Sequence, residues 1–164
     1  MKKILFLHGF FASGSCPMAR ALREAFDGQA HVLTPDLPLH PKEALKYIRM
    51  LIDKEKPDLL VGNSCGAFLA QMLSPVVGIP ALLGNPHFKM TDFLKERIGE
   101  MMEQREQKPN LFGLYRVATE EDDNQYGIQS VPTLMLFRHG EVLWRTSGVV
   151  QKSELLATID PFLK

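Results

Sequence analysis

Leu59-Leu60-Val61-Gly62-Asn63-Ser64-Cys65-Gly66, continued by Ala67-Phe68-Leu69-Ala70-Gln71-Met72-Leu73, decides how the rest of this chain is read. A short apolar run ends in Gly-x-Ser-x-Gly, and apolar residues at helical spacing follow at once, so Ser64 is expected at a sharp strand-to-helix turn. The glycines allow the strand and helix backbones to approach closely and admit a strained φ/ψ at the serine, which lifts its hydroxyl above the sheet edge. The first amides of the following helix, and the positive end of its dipole, point to the same place. This is the sequence form of a nucleophile elbow.

Upstream of the elbow, Ile4 to Leu7 reads as a short buried strand, and His8 to Ser15 as the loop leaving its carboxyl end. Pro17 stands where a helix tolerates a first-turn proline, with Ser15 as its expected cap and Met18, Ala21, Leu22 and Ala25 at helical spacing. His31 to Thr34 is strand-like. The run Pro35-Asp36-Leu37-Pro38-Leu39-His40-Pro41 can continue neither element and is expected as a loop above that second strand. Lys42 to Lys56 is an amphipathic helix stopped by Pro57. Downstream, the elbow helix is expected to reach Ser74, Ile79 to Leu83 to form another strand, and Gly84 to Phe88 a polar-aromatic turn. Strict alternation of strands and helices implies a parallel sheet with helices on both faces and a ligand crevice at the carboxyl ends of the strands.

Beyond residue 90 the style changes. A charged helix is expected from Thr91 to Lys108, a linker-like stretch from Glu103 to Asn110, a strand from Leu114 to Ala118 and an acidic helix start at Thr119 to Asp123. Leu134 to Arg138 and Val142 to Thr146, joined at His139-Gly140-Glu141, form a β-hairpin and hence an antiparallel pair. Lys152 to Leu163 closes the chain as an amphipathic helix, with Pro161 able to end or kink its last turn. The fold class is therefore three-layer α/β: a mostly parallel sheet, helices on both faces, and a C-terminal antiparallel hairpin plus helix. Residues 1–110 and 111–164 form two parts, packed as one continuous domain.

A chain of 164 residues can bury a real core as one domain. Its 19 basic and 19 acidic side chains balance, which argues against an electrostatic claim on nucleic acid. The two cysteines, Cys16 and Cys65, suit neither a disulfide framework nor a zinc site, and a reducing, cytoplasmic setting is expected. Met1-Lys2-Lys3 before an apolar stretch imitates an export signal, but His8 and Gly9 interrupt it after four residues, so a buried strand is the better reading. No apolar run is long enough for a membrane span.

Residues 1 to about 103 resemble the small YqiA-like esterases of the α/β-hydrolase superfamily. The resemblance rests on Phe6-Leu7-His8-Gly9-Phe10, Pro35-Asp36-Leu37-Pro38, Gly62-Asn63-Ser64-Cys65-Gly66 and Gly84-Asn85-Pro86, each following a strand in the right order. It implies Ser64 as nucleophile, the backbone N–H groups of Phe10 and Cys65 as an oxyanion hole, a small-molecule ester or thioester as substrate, and neither cofactor nor metal. Residues from about 112 to 164 resemble the carboxyl half of a thioredoxin, through Tyr126 to Phe137, Gly140-Glu141 and Gly148. That resemblance implies a cis Val131-Pro132 bond. The chain lacks Cys-x-x-Cys, so dithiol exchange has no chemistry to run on. The same segment occupies the region where the hydrolases carry their acid and late histidine, so any hydrolase activity is expected to be weak. A non-catalytic α/β domain with a redox-inactive thioredoxin-like half is the alternative.

Ser64 needs a base within hydrogen-bond reach. His87 and His40 stand on loops at the elbow end of the sheet and are the candidates, His87 first. His8 reads as a loop-shaping residue, His31 as a surface residue and His139 as a turn residue. Asp122 or Asp123 follows a strand, where an acid could sit, but the better reading of both is a helix's first turn, where they stabilise its dipole. The Cys65 thiol reads as a small packing group.

Overall fold

The computed structural model describes residues 1–86 and 133–163. The expected helix from Thr91 to Lys108, the strand from Leu114 to Ala118, the acidic turn with Asp122 and Asp123, His87 and the Val131-Pro132 bond all lie outside the described residues.

The described strands are β1 (Lys2–Leu7), β2 (Ala30–Leu33), β3 (Leu59–Asn63), β4 (Ala81–Gly84), β5 (Thr133–Arg138) and β6 (Glu141–Ser147), and they form one sheet in the order β2-β1-β3-β4-β5-β6. The first four are mutually parallel, whereas β5 joins β4 and β6 joins β5 antiparallel. Side chains alternate across this sheet as a period of two demands. Leu5, Leu7, Leu60, Ala81, Leu83, Met135 and Phe137 face one side, where α2 (Pro41–Glu55) and α3 (Cys65–Val77) cover them. Ile4, Phe6, Leu59, Val61, Leu82 and Leu136 face the other, against α1 (Pro17–Ala25) and α4 (Lys152–Ile159). Three layers and a C-terminal antiparallel hairpin plus helix are thus the observed architecture.

Departures from the sequence expectations have local causes. Cys16, not Ser15, occupies the N-cap position of α1; Ser15 instead shares a 3.0 Å hydrogen bond with the Ser13 hydroxyl. Helix α3 runs through Pro75 to Val77 because the last turn loses little from one missing donor, and Gly78 then closes it in the left-handed region. At the other end of the chain, Pro161 tightens the final turn into a 3₁₀ segment, Asp160–Phe162.

Strand order places the site. From β1 the chain steps outward to β2, then returns past β1 to β3, so β1 and β3 are neighbours whose exits lead to opposite faces: one to α1, the other to α3. A crevice opens where connections diverge in this way.

Candidate active site at the β3–α3 elbow

Ser64 stands between β3 and α3 at φ 54°, ψ −117°, a conformation costly for a residue with a Cβ. Its neighbours hold it there. The Ser64 N–H donates to the Gly84 carbonyl (2.9 Å), and the Ser64 carbonyl accepts from Ala67 and Phe68, starting the helix. A Cβ on Gly62 would come within 2.6 Å of the Ala67 backbone, and one on Gly66 within 2.6 Å of the His8 carbonyl oxygen. Both glycines of the motif are therefore demanded by close approach of β3, α3 and the end of β1. Cys65 opens α3, so its peptide lies at the positive end of the helix.

The loop after β1 lies alongside. A Cβ built on Gly9 would be 3.4 Å from the Ser64 Cβ, which brings the Gly9-Phe10 segment against the elbow. Two loops are interlocked here. His8 Nε2 accepts the Leu37 N–H at 2.9 Å while Nδ1 lies 2.8 Å from the Gly9 carbonyl, an arrangement that requires the proton on Nδ1 and engages both ring nitrogens. The Asp36 carboxylate accepts the Gly14 N–H at 2.7 Å. Arg23, from α1, donates to the Gly14 carbonyl at 3.3 Å and to the Thr34 hydroxyl. Between these loops and α3 lies a cavity of about 350 Å³, with Phe10, Leu37, Leu39 and Cys65 among its walls.

The sequence-predicted groups divide clearly. Ser64, Phe10 and Cys65 come together at the elbow. His8 is committed to the loops. His31 pairs in register with Lys3, near the start of β1 and so at the far end of the sheet. His139 occupies the hairpin tip at φ 52°, beside Gly78 at the end of α3; with Leu134 level with Gly84, it is on the order of 15–20 Å from Ser64 at a strand's rise per residue. His40 caps the start of α2, its Nδ1 buried without a hydrogen-bond partner among the described residues. Among the described residues no imidazole hydrogen-bonds to Ser64. Groups of three or more His, Cys, Asp or Glu side chains able to hold a metal ion are also absent among the described residues.

Sequence reasoning missed Arg23 and Asp36 as the clamp on the first loop. An aspartate set between two prolines was the available signal, since a rigid loop with one carboxylate can present it to a fixed backbone donor. It also missed Asn63, whose Oδ1 is buried without a hydrogen-bond partner among the described residues and lies 3.4 Å from where a Gly84 Cβ would stand.

Comparison with known proteins adds two findings. Curated relatives are thioredoxins: one from Synechocystis sp. is 33% identical over 66 residues, covering 40% of this chain and 62% of the relative. A chloroplastic M-type thioredoxin of Pisum sativum is 25% identical over 128 residues, covering 76% of this chain and 66% of the relative, and a Pyropia yezoensis thioredoxin is 43% identical over 47 residues, covering 26% and 44%. The chain spans about two thirds or less of the length of these relatives. The model of an uncharacterised protein family, UPF0227, matches residues 3–143, from β1 through the elbow and into β6, past the point near residue 103 where the hydrolase resemblance ends. Since that match takes in most of the chain and every element that builds the elbow, the chain belongs to the UPF0227 family.

Proposed function

We propose that this protein is an esterase-like serine hydrolase with Ser64 as nucleophile. The observation that carries the reading is the strained backbone of Ser64 at φ 54°, which two closely packed glycines and the Gly84 carbonyl hold in place. Strain of this kind persists only where surroundings over-determine it, and it clusters at functional sites. Membership of UPF0227 supports an esterase-like activity. In the proposed reaction the Ser64 Oγ bonds to the acyl carbon while its proton passes to an imidazole. The N–H groups of Phe10 and Cys65 stabilise the oxyanion. The ester C–O bond then breaks, the proton goes to the leaving oxygen, and water reverses the sequence to free the acid. His87, two residues beyond Asn85, is the proposed base, with Asp122 or Asp123 as its acid. Residues 1–110 and 111–164 are proposed to act as one continuous domain, which the pairing of β4 with β5 supports.

A specific observation keeps a non-catalytic domain as the second reading: among the described residues His8 is engaged by the loops, His31 and His139 lie away from the elbow, and His40, whose Nδ1 has no hydrogen-bond partner there, makes no hydrogen bond to Ser64. Turnover of p-nitrophenyl acetate by wild type, Ser64→Ala, His87→Ala and His40→Ala separates the two. The hydrolase reading expects loss of turnover in Ser64→Ala, and a base among the two histidines shows as a further large loss. Residual catalysis on the order of 10³-fold over water, dependent on Ser64 alone, would mean the oxyanion hole works without a completed triad. Turnover that survives Ser64→Ala would contradict the assignment.

A further inference from the structure

We infer that the cavity between the two interlocked loops is an acyl pocket for an unbranched, uncharged chain, with Phe11 and Leu39 as the residues that set its length preference. The inference rests on the hydrolase reading of Ser64 and adds the substrate class. Cys65, the residue after the nucleophile, lines the cavity together with Ala44, Leu69 and Leu37. Its volume of about 350 Å³ is at the low end of small-ligand sites, which run to roughly 300–1,000 Å³. Among the described residues no lysine, arginine, aspartate or glutamate lines it. The one imidazole there, His8, spends both nitrogens on the Gly9 carbonyl and the Leu37 N–H. A carboxylate entering this cavity would lose its hydration with no cation to replace it.

The same inventory decides which half of an ester enters. A leaving alkoxide must receive a proton, and among the described residues lining the cavity the side-chain protons are those of the Cys65 thiol and of His8 Nδ1, the latter held by the Gly9 carbonyl. The leaving group therefore departs on the other side, and the cavity receives the chain attached to the carbonyl carbon. At its mouth two apolar side chains stand exposed, one from each loop: Phe11 is 61% exposed and Leu39 50%. Phe11 holds φ 55°, a backbone setting that a β-carbon disfavours, and its ring lies tilted by 52° against that of Phe10, with centroids 4.2 Å apart. Exposed, strained and aromatic at a cavity mouth, Phe11 makes sense if an apolar chain covers it in the bound state.

The test has two arms, one independent of catalysis. First, binding of straight-chain methyl ketones, from 2-pentanone to 2-nonanone, is measured by NMR titration of wild type, Phe11→Gly and Leu39→Ala. Glycine suits the positive φ at position 11, so Phe11→Gly removes the ring without disturbing the loop. Affinity should rise up to about fourfold per added methylene until the cavity is full, and both variants should flatten the series. Second, p-nitrophenyl hexanoate is compared with the p-nitrophenyl half-ester of glutaric acid, of similar length but charged; the neutral ester should be preferred by roughly tenfold or more in kcat/KM. Ketone affinity independent of chain length, or a half-ester turned over as well as the hexanoate, would overturn the pocket. Ketone binding that follows chain length while Ser64→Ala still hydrolyses esters would leave the pocket standing and remove the nucleophile.

Discussion

At Ser64 two opposing terms can be weighed. A side chain held at φ 54°, ψ −117° costs on the order of 1–3 kcal/mol, and glycine would relieve it, whereas glycine's freer unfolded chain costs roughly 0.4–1 kcal/mol. Relief wins. Ser64→Gly is therefore expected to raise stability by about 1 kcal/mol, or roughly 2–4 °C in Tm, while abolishing any esterase turnover. A thermal melt beside an ester assay checks both at once; a lower Tm would show that the serine is not strained. Gly66→Ala should act in the opposite direction, since its methyl would strike the end of β1, at a cost of about 1–3 kcal/mol or more. This much was legible in the sequence, because Gly-x-Ser-x-Gly between an apolar run and a helical pattern leaves few other geometries. Whether any histidine serves Ser64 was not, because position along the chain says nothing about where a loop side chain turns.

Among the elements, strands and helices were readable wherever apolar residues kept a period of two or 3.6, as in Ile4 to Leu7 and Ala44 to Ile52. Ends were harder to place at prolines. The helix expected to reach Ser74 continues through Pro75, a last-turn residue, to Val77, while Pro41 begins α2 instead of preceding it. The interlock between loops was not legible, since Asp36 and Gly14 are 22 positions apart and their bond depends on β1 and β2 lying side by side. Its consequence can be measured. Asp36→Ala removes the acceptor for the Gly14 N–H and loosens the loop that carries Phe10, so a loss of about 1–2 kcal/mol in stability is expected. If Phe10 donates to the oxyanion, kcat should fall by more than KM rises; a change in stability with unaltered kinetics would leave the clamp purely structural.

For the whole molecule, the end of the sheet away from the elbow is tied by charge, and the two ends should respond differently to pH. The Lys3 ammonium, bonded to the Glu55 carboxylate at 3.0 Å, holds that carboxyl below its ordinary value of 4.5. Burial pushes Asp58 up, but the Lys3 N–H and the Lys2 ammonium outweigh it and hold the carboxyl below 3.8. Carboxyls lowered by folding contribute stability above their unfolded values and lose it as pH falls through the lower folded ones. Denaturant midpoints should therefore drop below about pH 4, and Asp58→Asn should flatten that dependence; an unchanged slope would show that the pair is screened away. Cys16 packs among the residues on the α1 face of the sheet and Cys65 lines the cavity on the other, so an insulin-reduction assay should match its blank despite the thioredoxin relatives. Among the described residues no helix is long and apolar enough to cross a membrane. All of these rank below the claim that the elbow carries a reactive serine. The direct measurement is intact-mass and peptide mapping after treatment with a fluorophosphonate. A single adduct on Ser64, absent in Ser64→Ala, is the expected result; no adduct on the folded protein, or one mapped to another residue, would contradict the account.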